Sequence, residues 1–283
     1  MSPEQFVLLA LVLYVSGAVA ALLGLRYDRR WPRAQAGAVL LAVLAQTAGI
    51  SVHCAHSPTH YFTSGAEILW LLSWSAGVNY LVLLAAWRMN ALGLLILPLN
   101  AALLAASFLF PYPGPPPVGG LDRDPLYPVH VMSAFLGYGL FVTGCAASVL
   151  YLRAQALLKR KLFGVLFAGL PSLERLDRTA AWSVAAGLFL FTVALALGTV
   201  LAVRANVAHW YLHPKILVAE ATWLVFLVLA AGRLAGRLTG RGAANTILAG
   251  AGLVAATILL GHPFREAPSP RNPGGPTEPR APR

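Results

Sequence analysis

Residues 204–215, RANVAHWYLHPK, concentrate histidines, aromatic rings and cations in a short connection between two long apolar runs. The side chains are His209, Trp210, Tyr211 and His213, together with Arg204 and Lys215. Neutral imidazole is a ligand for transition metals, aromatic rings pack against flat molecules, and cations pair with carboxylates. The stretch therefore predicts a platform for a flat, anionic, metal-containing ligand. The alternative is that these are aromatic-belt residues and snorkelling cations of a membrane protein.

The composition of the whole chain is that of a membrane-embedded protein. Of the 283 residues, 58% are apolar and 11% are charged, and the mean hydropathy is +0.69. A soluble domain carries about a quarter charged residues, so the composition predicts a polytopic membrane protein. The formal charge of +11 is spread over short loops, which is typical of membrane orientation signals and excludes a nucleic-acid-binding stripe. Cys54 and Cys145 form neither a CxxC redox motif nor a zinc site.

Eight apolar runs are long enough to cross a hydrocarbon core of roughly 30 Å, and each must be helical to satisfy its backbone in lipid. The predicted fold class is therefore all-α, with spans at about 5–25, 34–54, 65–86, 91–110, 129–152, 181–203, 215–232 and 243–261. Residues 1–262 form one membrane helical domain, and the Pro- and Arg-rich tail 263–283 is predicted to be disordered. The amphipathic stretch within 153–180 predicts an interfacial helix before the sixth span.

Lysine and arginine predict the orientation of the spans. Of the 21 such residues, 14 lie in the connections on one side, 3 lie in those on the other side, and 4 lie in the tail. By the positive-inside rule, both termini lie outside, and the chain is a multi-pass protein of a bacterial cytoplasmic (inner) membrane.

With this topology, all seven histidines lie at external helix ends or in external loops. His130 opens the fifth span and His262 closes the eighth, with Pro128 and Pro263 beside them. Two facing histidines at one membrane level are suited to ligate the iron of a planar haem from opposite sides. The alternative is that interfacial histidines are amphipathic residues that bind nothing.

Two acidic residues fall within predicted spans. Glu67 lies near the outer end of the third span, and Glu220 lies about one turn into the seventh. Ionisable groups inside a membrane are costly and are functional candidates. An equally open reading places Glu67 at the interface, within hydrogen-bond reach of the connection between the second and third spans. Gln46, Asn79 and Asn100 are predicted to join helices to one another.

Four stretches of the chain occur in an order that resembles a known family. HYFTSGAEILWLLSW at 60–74 matches a Phe–x–Ser–x–x–Glu–x–Leu–x–x–x–x–Trp pattern through Phe62, Ser64, Glu67 and Trp74. HVMSAFLGYGLF at 130–141 begins with an external histidine and carries Tyr138. The other two are LPSLERLDRTAAWSVAAGLFLFTVALALG at 170–198 and HWYLHPKILVAEATWLVF at 209–226. Together they resemble the cytochrome c assembly proteins, the haem-handling CcsA/CcmC/HemX-like membrane proteins.

The resemblance covers about 60–262 and implies an external tryptophan-rich loop that presents b-type haem between two axial histidines. By position the axial ligands of the haem iron would be His130 and His262. The implied haem-binding set is His130, His262, His209, Trp210, His213, Lys215 and Glu67. The loop motif ends in Trp–Asp–Pro–Lys–Glu in the family; here His213 replaces its Asp and Ile216 its Glu. Cytochrome synthase members have a histidine where this chain has Ala231, so the eight-helix HemX-like branch fits best.

The resemblance implies a protein of cytochrome c biogenesis that binds haem transiently and delivers it to apocytochrome c or to an assembly partner subunit. Membrane lipid is the other expected partner, and no nucleic acid is expected. The chain would perform no bond chemistry alone, so it is expected to act as a component of a haem-transport system rather than as an enzyme. The alternative is a HemX-like regulatory or structural partner of haem-synthesis or assembly proteins that binds no haem. A quinone-linked haem subunit usually carries histidines on both membrane sides, and here none lies on the inner side.

Overall fold

The protein is an all-helical bundle in the computed structural model, which describes residues 2–26, 30–56, 64–110, 112, 124–162, 164, 167, 169–206 and 209–260. Within this part the helices are α1 Pro3–Arg26, α2 Arg30–His56, α3 Gly65–Trp87, α4 Gly93–Ser107, α5 Leu126–Lys159, α6 Leu173–Arg204, α7 Pro214–Leu234 and α8 Gly240–Leu260. Short 3₁₀ turns at Asn90–Leu92 and Trp210–Leu212 precede α4 and α7. His262, the tail 263–283 and the side chain of Lys215 lie outside the described residues.

The helices have the length and composition of membrane spans, which confirms the predicted all-α polytopic fold. In the described part, α1 to α7 each contain a segment long and apolar enough to cross a membrane. Helix α8 covers most of the eighth predicted span, 243–261. On α1 the exposed residues Leu8, Val12, Val15, Val19 and Leu22 recur every three or four positions, so one apolar stripe faces outward. Such a stripe is stable only against lipid, so the chain is a multi-pass membrane protein in contact with lipid.

The eight helices pack as two four-helix groups. In the first group α1 contacts α2 and α4, and α3 contacts α2 and α4. In the second group α5 contacts α6 and α8, and α7 contacts α6 and α8. Helices α3 and α5 join the two groups. Because each helix that crosses the bilayer begins on the side where the preceding one ended, consecutive helices alternate in direction, and their ends lie at two opposite faces.

Local sequence signals set several helix ends. Helix α3 begins with a capping box in which the Ser64 side chain accepts from the Glu67 N–H and the Glu67 carboxylate accepts from the Ser64 N–H. Helix α3 ends at Arg88, which adopts the left-handed conformation at φ 51° and turns the chain towards α4. Helix α7 begins at Pro214, whose fixed φ suits the first helical position.

The amphipathic stretch before the sixth span is helical and leads into that span, as predicted, and the two form one continuous helix. Ser172 caps α6 by accepting from the Arg175 N–H, and the helix continues unbroken to Arg204. Leu176, Thr179 and Ser183 are buried along one face, so the packed stripe continues from the amphipathic turns into the span. Without a helix breaker between the two segments, the backbone ladder is not interrupted.

The buried Gln46 and the half-buried Asn79 join neighbouring helices, as predicted. Gln46 on α2 accepts from the Tyr14 hydroxyl of α1 at 2.7 Å and donates to the Trp70 carbonyl of α3 at 3.3 Å. Asn79 on α3 donates to the Leu136 carbonyl of α5 at 3.3 Å, across the junction of the two groups. In lipid, such bonds spare polar groups from unsatisfied burial.

Candidate functional site

The side chains singled out by the sequence gather at one face of the bundle. This face, predicted to be external, contains the ends of α2, α4 and α6 and the beginnings of α3, α5 and α7. The residues located there are His53, Glu67, His130, Arg204, His209, Trp210 and His213. The described contacts divide them into a cluster in the first helix group and a platform in the second.

His130 lies in the second turn of α5, with its ring against α6. Its Nδ1 atom is 2.8 Å from the Ala194 carbonyl oxygen, and the residue is half-buried. A carbonyl only accepts, so Nδ1 carries the hydrogen and the lone pair of the neutral ring is on Nε2. Metal-ligating histidines are commonly fixed in this way by a carbonyl bonded to the other ring nitrogen. The ring therefore has the tautomer and orientation control that an axial iron ligand requires.

Gly198 on α6 provides the space for the His130 ring. A Cβ atom at position 198 would lie 2.9 Å from His130 Cε1 and 3.2 Å from His130 Nδ1. Real Cβ contacts are longer, so the imidazole occupies volume that any other residue at position 198 would fill. The contact defines a cradle formed by Ala194 and Gly198 for one histidine.

We expect Gly198→Ala to lower the free energy of unfolding by about 1–3 kcal/mol, because the new methyl group must displace the His130 ring. The control is Gly144→Ala on α5, where a Cβ would meet Ser183 and Val184 at 3.5 Å, an ordinary contact. Chemical unfolding in detergent should show the control unchanged or stabilised by about 0.5–1 kcal/mol, since alanine favours helix. Equal stability of the two variants would mean that the ring is not held in the cradle.

Arg204 and Asp124 tie the end of α6 to the beginning of α5. Their side chains form an ion pair at 2.9 Å, and Asp124 also accepts from the Leu126 N–H at 2.9 Å. The Leu126 N–H and then the Arg204 guanidinium hold the pKa of Asp124 below its usual range. A lowered carboxyl pKa stabilises the fold above the unfolded pKa, and this contribution is lost as the pH falls through the folded pKa. Arg204, considered above as a ligand cation, thus already has a partner.

The segment before α7 displays aromatic and imidazole side chains. His209 has φ 53° and is exposed, and its Nδ1 lies 3.5 Å from the Tyr211 hydroxyl. Trp210 is half-buried, and its ring meets Tyr211 edge-on with centroids 6.0 Å apart. His213 takes the N-cap position of α7 in extended conformation. This platform therefore combines aromatic surface with the positive end of a helix dipole, which attracts anionic groups.

Glu67 belongs to a buried cluster in the first helix group, formed by His53, Glu67, Trp70, Ser107 and Tyr112. His53 and Glu67 are 2% and 1% exposed, and Nε2 of His53 is 3.6 Å from a Glu67 oxygen. Nδ1 of His53 is 2.9 Å from the Tyr112 hydroxyl. The Trp70 and Tyr112 rings pack against each other with centroids 4.8 Å apart, and Trp70 Nε1 donates to the Ser107 hydroxyl at 3.0 Å. The cluster thus joins α2, α3 and the end of α4.

His53 lies between the Tyr112 hydroxyl and the Glu67 carboxylate. Its Nδ1 is hydrogen-bonded to Tyr112, and its Nε2 faces the carboxylate at 3.6 Å, an electrostatic contact longer than a hydrogen bond. Burial and then the Glu67 charge raise the pKa of Tyr112, which keeps the phenol protonated. Tyrosine, imidazole and carboxylate therefore form one buried row.

The position of His53 at the end of the second span predicts an interfacial histidine and does not predict its burial. One sequence signal indicates the buried position of His53, and another explains the role of Glu67. Gln46, Gly49 and His53 recur at helical spacing on the buried face of α2. Ser64 and Glu67 match the Ser–x–x–Glu capping box, which predicts a helix start rather than a ligand. Glu220, considered as an intramembrane candidate, lies on the exposed side of α7.

A family model described as Cytochrome C assembly protein matches residues 63–261. The chain belongs to this family. The match begins one residue before the cap of α3 and ends one residue beyond α8, so it contains His130, the platform and Glu67. Membership gives the chain a role in cytochrome c biogenesis. No curated protein matches the chain.

The cytochrome c assembly family is associated with haem handling. Haem would bring four nitrogen ligands of its own and would require only axial ligands from the protein. His130 provides one axial candidate with a fixed tautomer, and the Gly198 cradle is shaped for its ring.

Proposed function

We propose that this protein receives haem within the bilayer and presents it at the external face for delivery to apocytochrome c or to an assembly partner. It would act in the cytoplasmic membrane of a bacterium and belong to the HemX-like branch. The observation that carries the proposal is the hydrogen bond from His130 Nδ1 to the Ala194 carbonyl, which puts the lone pair of the neutral ring on Nε2, the nitrogen that would ligate iron. Haem is the cargo here, and it supplies the redox-active iron of the mature cytochrome.

Each candidate residue has a distinct role in this proposal. His130 would provide one axial nitrogen and His262 the second. Trp210 would pack against the macrocycle, as aromatic side chains do with flat ligands. His209, His213 and Lys215 would lie near the propionates, where the N-terminus of α7 adds favourable potential. Glu67 would act at a distance by fixing the segments that enter α3 and leave α4.

The test of this function is a cell in which the gene has been deleted. We expect covalent haem in c-type cytochromes, measured by haem staining of membrane proteins, to fall at least about tenfold, while b-type cytochromes persist. Wild-type protein should restore the signal, and His130→Gly protein present at the same level should not. Normal c-type cytochromes in the deletion strain would contradict the proposal.

A regulatory or structural partner that binds no haem is the second candidate. It is favoured by the exposed basic end of α5, where Lys159, Arg160 and Lys161 project beyond the span. Such a surface is suited to an acidic partner protein. This role would be favoured if the purified protein contains no haem and if a haem-synthesis or assembly protein binds to it through residues 153–180. Altered haem-precursor levels in the deletion strain, with c-type maturation intact, would point the same way.

A further inference from the structure

A cavity of about 380 Å³ lies at the face opposite the candidate site, between the end of α3 and the beginning of α6. By the positive-inside rule this face is cytoplasmic. The cavity is lined by Ala86, Trp87, Arg88, Met89, Arg175, Arg178 and Thr179. Three arginines therefore line one pocket, Arg88 at the C-cap of α3 and Arg175 and Arg178 in the first turns of α6. The positive-inside rule accounts for basic residues on this side, but not for their grouping around one pocket.

The cavity walls are fixed by packing and hydrogen bonds. Met89 and Thr179 are each 1% exposed and form a buried base. The Arg175 guanidinium donates to the Trp87 carbonyl, which joins the beginning of α6 to the end of α3. The Arg88 N–H bonds to the Leu84 carbonyl at 3.1 Å, which fixes its backbone at the end of α3. The backbone around the pocket is therefore ordered by packing and hydrogen bonds, which lowers the cost of binding a ligand.

The electrostatics of the cavity favour an anion. Of the two carboxylates in the first turns of α6, Asp177 pairs with Arg233 at 2.7 Å, and Glu174 pairs with Arg178 at 2.7 Å. Both side chains of this pair are more than two-thirds exposed, at 80% and 72%, so the pair is weak and can exchange for another anion. Arg88 and Arg175 lie in the same lining with donors directed by a rigid fork, which suits phosphate oxygens. The first turn of α6 adds the positive end of its dipole.

We propose that this cavity binds the phosphate group of an anionic phospholipid in the cytoplasmic leaflet. The position supports a lipid source because Arg88 marks the end of the α3 span and Trp87 meets Trp182 at 5.5 Å beside it. Trp182 is 42% exposed on α6, and tryptophan concentrates at the headgroup level of membranes. A phosphodiester there receives charge-assisted hydrogen bonds from the arginines while its acyl chains remain in lipid.

The test compares added phosphatidylglycerol, phosphatidylcholine and inorganic phosphate as stabilisers of the purified full-length protein in detergent. We expect phosphatidylglycerol to raise the unfolding midpoint by several degrees over phosphatidylcholine. We also expect the Arg88→Gln variant to lose most of this lipid-dependent shift, measured against its own baseline. Native mass spectrometry should show its affinity for phosphatidylglycerol reduced about tenfold. The matched control is Arg237→Gln, an exposed arginine on the same face that does not line the cavity.

Two results would overturn the lipid site. One is an equal lipid-dependent shift in wild type, Arg88→Gln and Arg237→Gln, which would reflect general surface charge. The other is a shift produced in full by inorganic phosphate with nothing added by the lipid, which would assign the cavity to a soluble phosphate. Arg88→Gln carries the test because the Arg175 contact with Trp87 also supports the fold.

Discussion

Replacing His130 by glycine is expected to lower the haem content of the purified protein at least about tenfold. Removing only the hydrogen-bond partner of a metal-ligating side chain lowers metal affinity about 10- to 100-fold. Removing the ligand itself should lower the affinity at least as much. Removing the His130 side chain should leave an imidazole-sized space between α5 and Gly198. Added imidazole should therefore enter and restore part of the bound haem. The measurement is haem per mole of protein by the pyridine haemochrome assay, with and without imidazole.

The matched control for this prediction is His56→Gly. His56 lies near the end of α2 on the same face, and its Nδ1 also bonds a backbone carbonyl, that of Val52 at 2.9 Å. It is exposed and outside the platform, so its loss should leave the haem content unchanged. Wild-type haem content in His130→Gly, or an equal loss in both variants, would show that His130 is not the iron ligand.

Replacing Glu67 by alanine is expected to destabilise the protein by about 2–4 kcal/mol. The change removes the carboxylate that caps α3 through the Ser64 N–H, which contributes about 1 kcal/mol. It also removes the buried carboxylate that lies 3.6 Å from Nε2 of the buried His53 ring, which costs about a further 1–3 kcal/mol. The expected result is a fall of roughly 5–10 °C in the unfolding midpoint in detergent.

Two control variants distinguish the contribution of the buried cluster to stability from the general effect of removing a carboxylate. Glu174→Ala removes a carboxylate in the first turn of α6 that is 80% exposed, and its effect should stay within about 0.5 kcal/mol. Glu67→Gln keeps an acceptor for the Ser64 N–H and should cost less than Glu67→Ala. If Glu67→Ala is as stable as Glu174→Ala, the buried cluster does not stabilise the fold.

Hydropathy was enough to predict the fold class, because each span must be about as long as the bilayer is thick. It could not predict that α3 and α5 join two helix groups, since lipid-facing and helix-facing leucines are equally apolar. Hydropathy did not predict the end of a helix where polar residues continue the helix beyond the apolar span. Helix α5 continues to Lys159, beyond the predicted limit at 152, because its last turns leave the membrane without a helix breaker.

Residue types and the positions of the spans were enough to predict which side chains lie at the external face, but not which of them contact one another. Spacing placed His130 and Trp210 on one face, because helix direction alternates with every span. The Arg204–Asp124 ion pair joins residues 80 positions apart, and the His53–Tyr112 contact joins residues 59 apart. No local pattern connects such residues, so only the packed structure could identify these pairs. The cradle at Gly198 likewise depends on how closely α5 and α6 approach.

The proposed function requires that this chain itself holds haem at its external face. Its most direct test is the absorption spectrum of protein purified in mild detergent from cells supplied with haem precursor, recorded oxidised and after dithionite reduction. Ligation by His130 and a second histidine predicts a six-coordinate, low-spin haem b spectrum with sharp reduced bands that collapse in His130→Gly. Protein that remains free of haem under these conditions would contradict the claim and favour the regulatory partner.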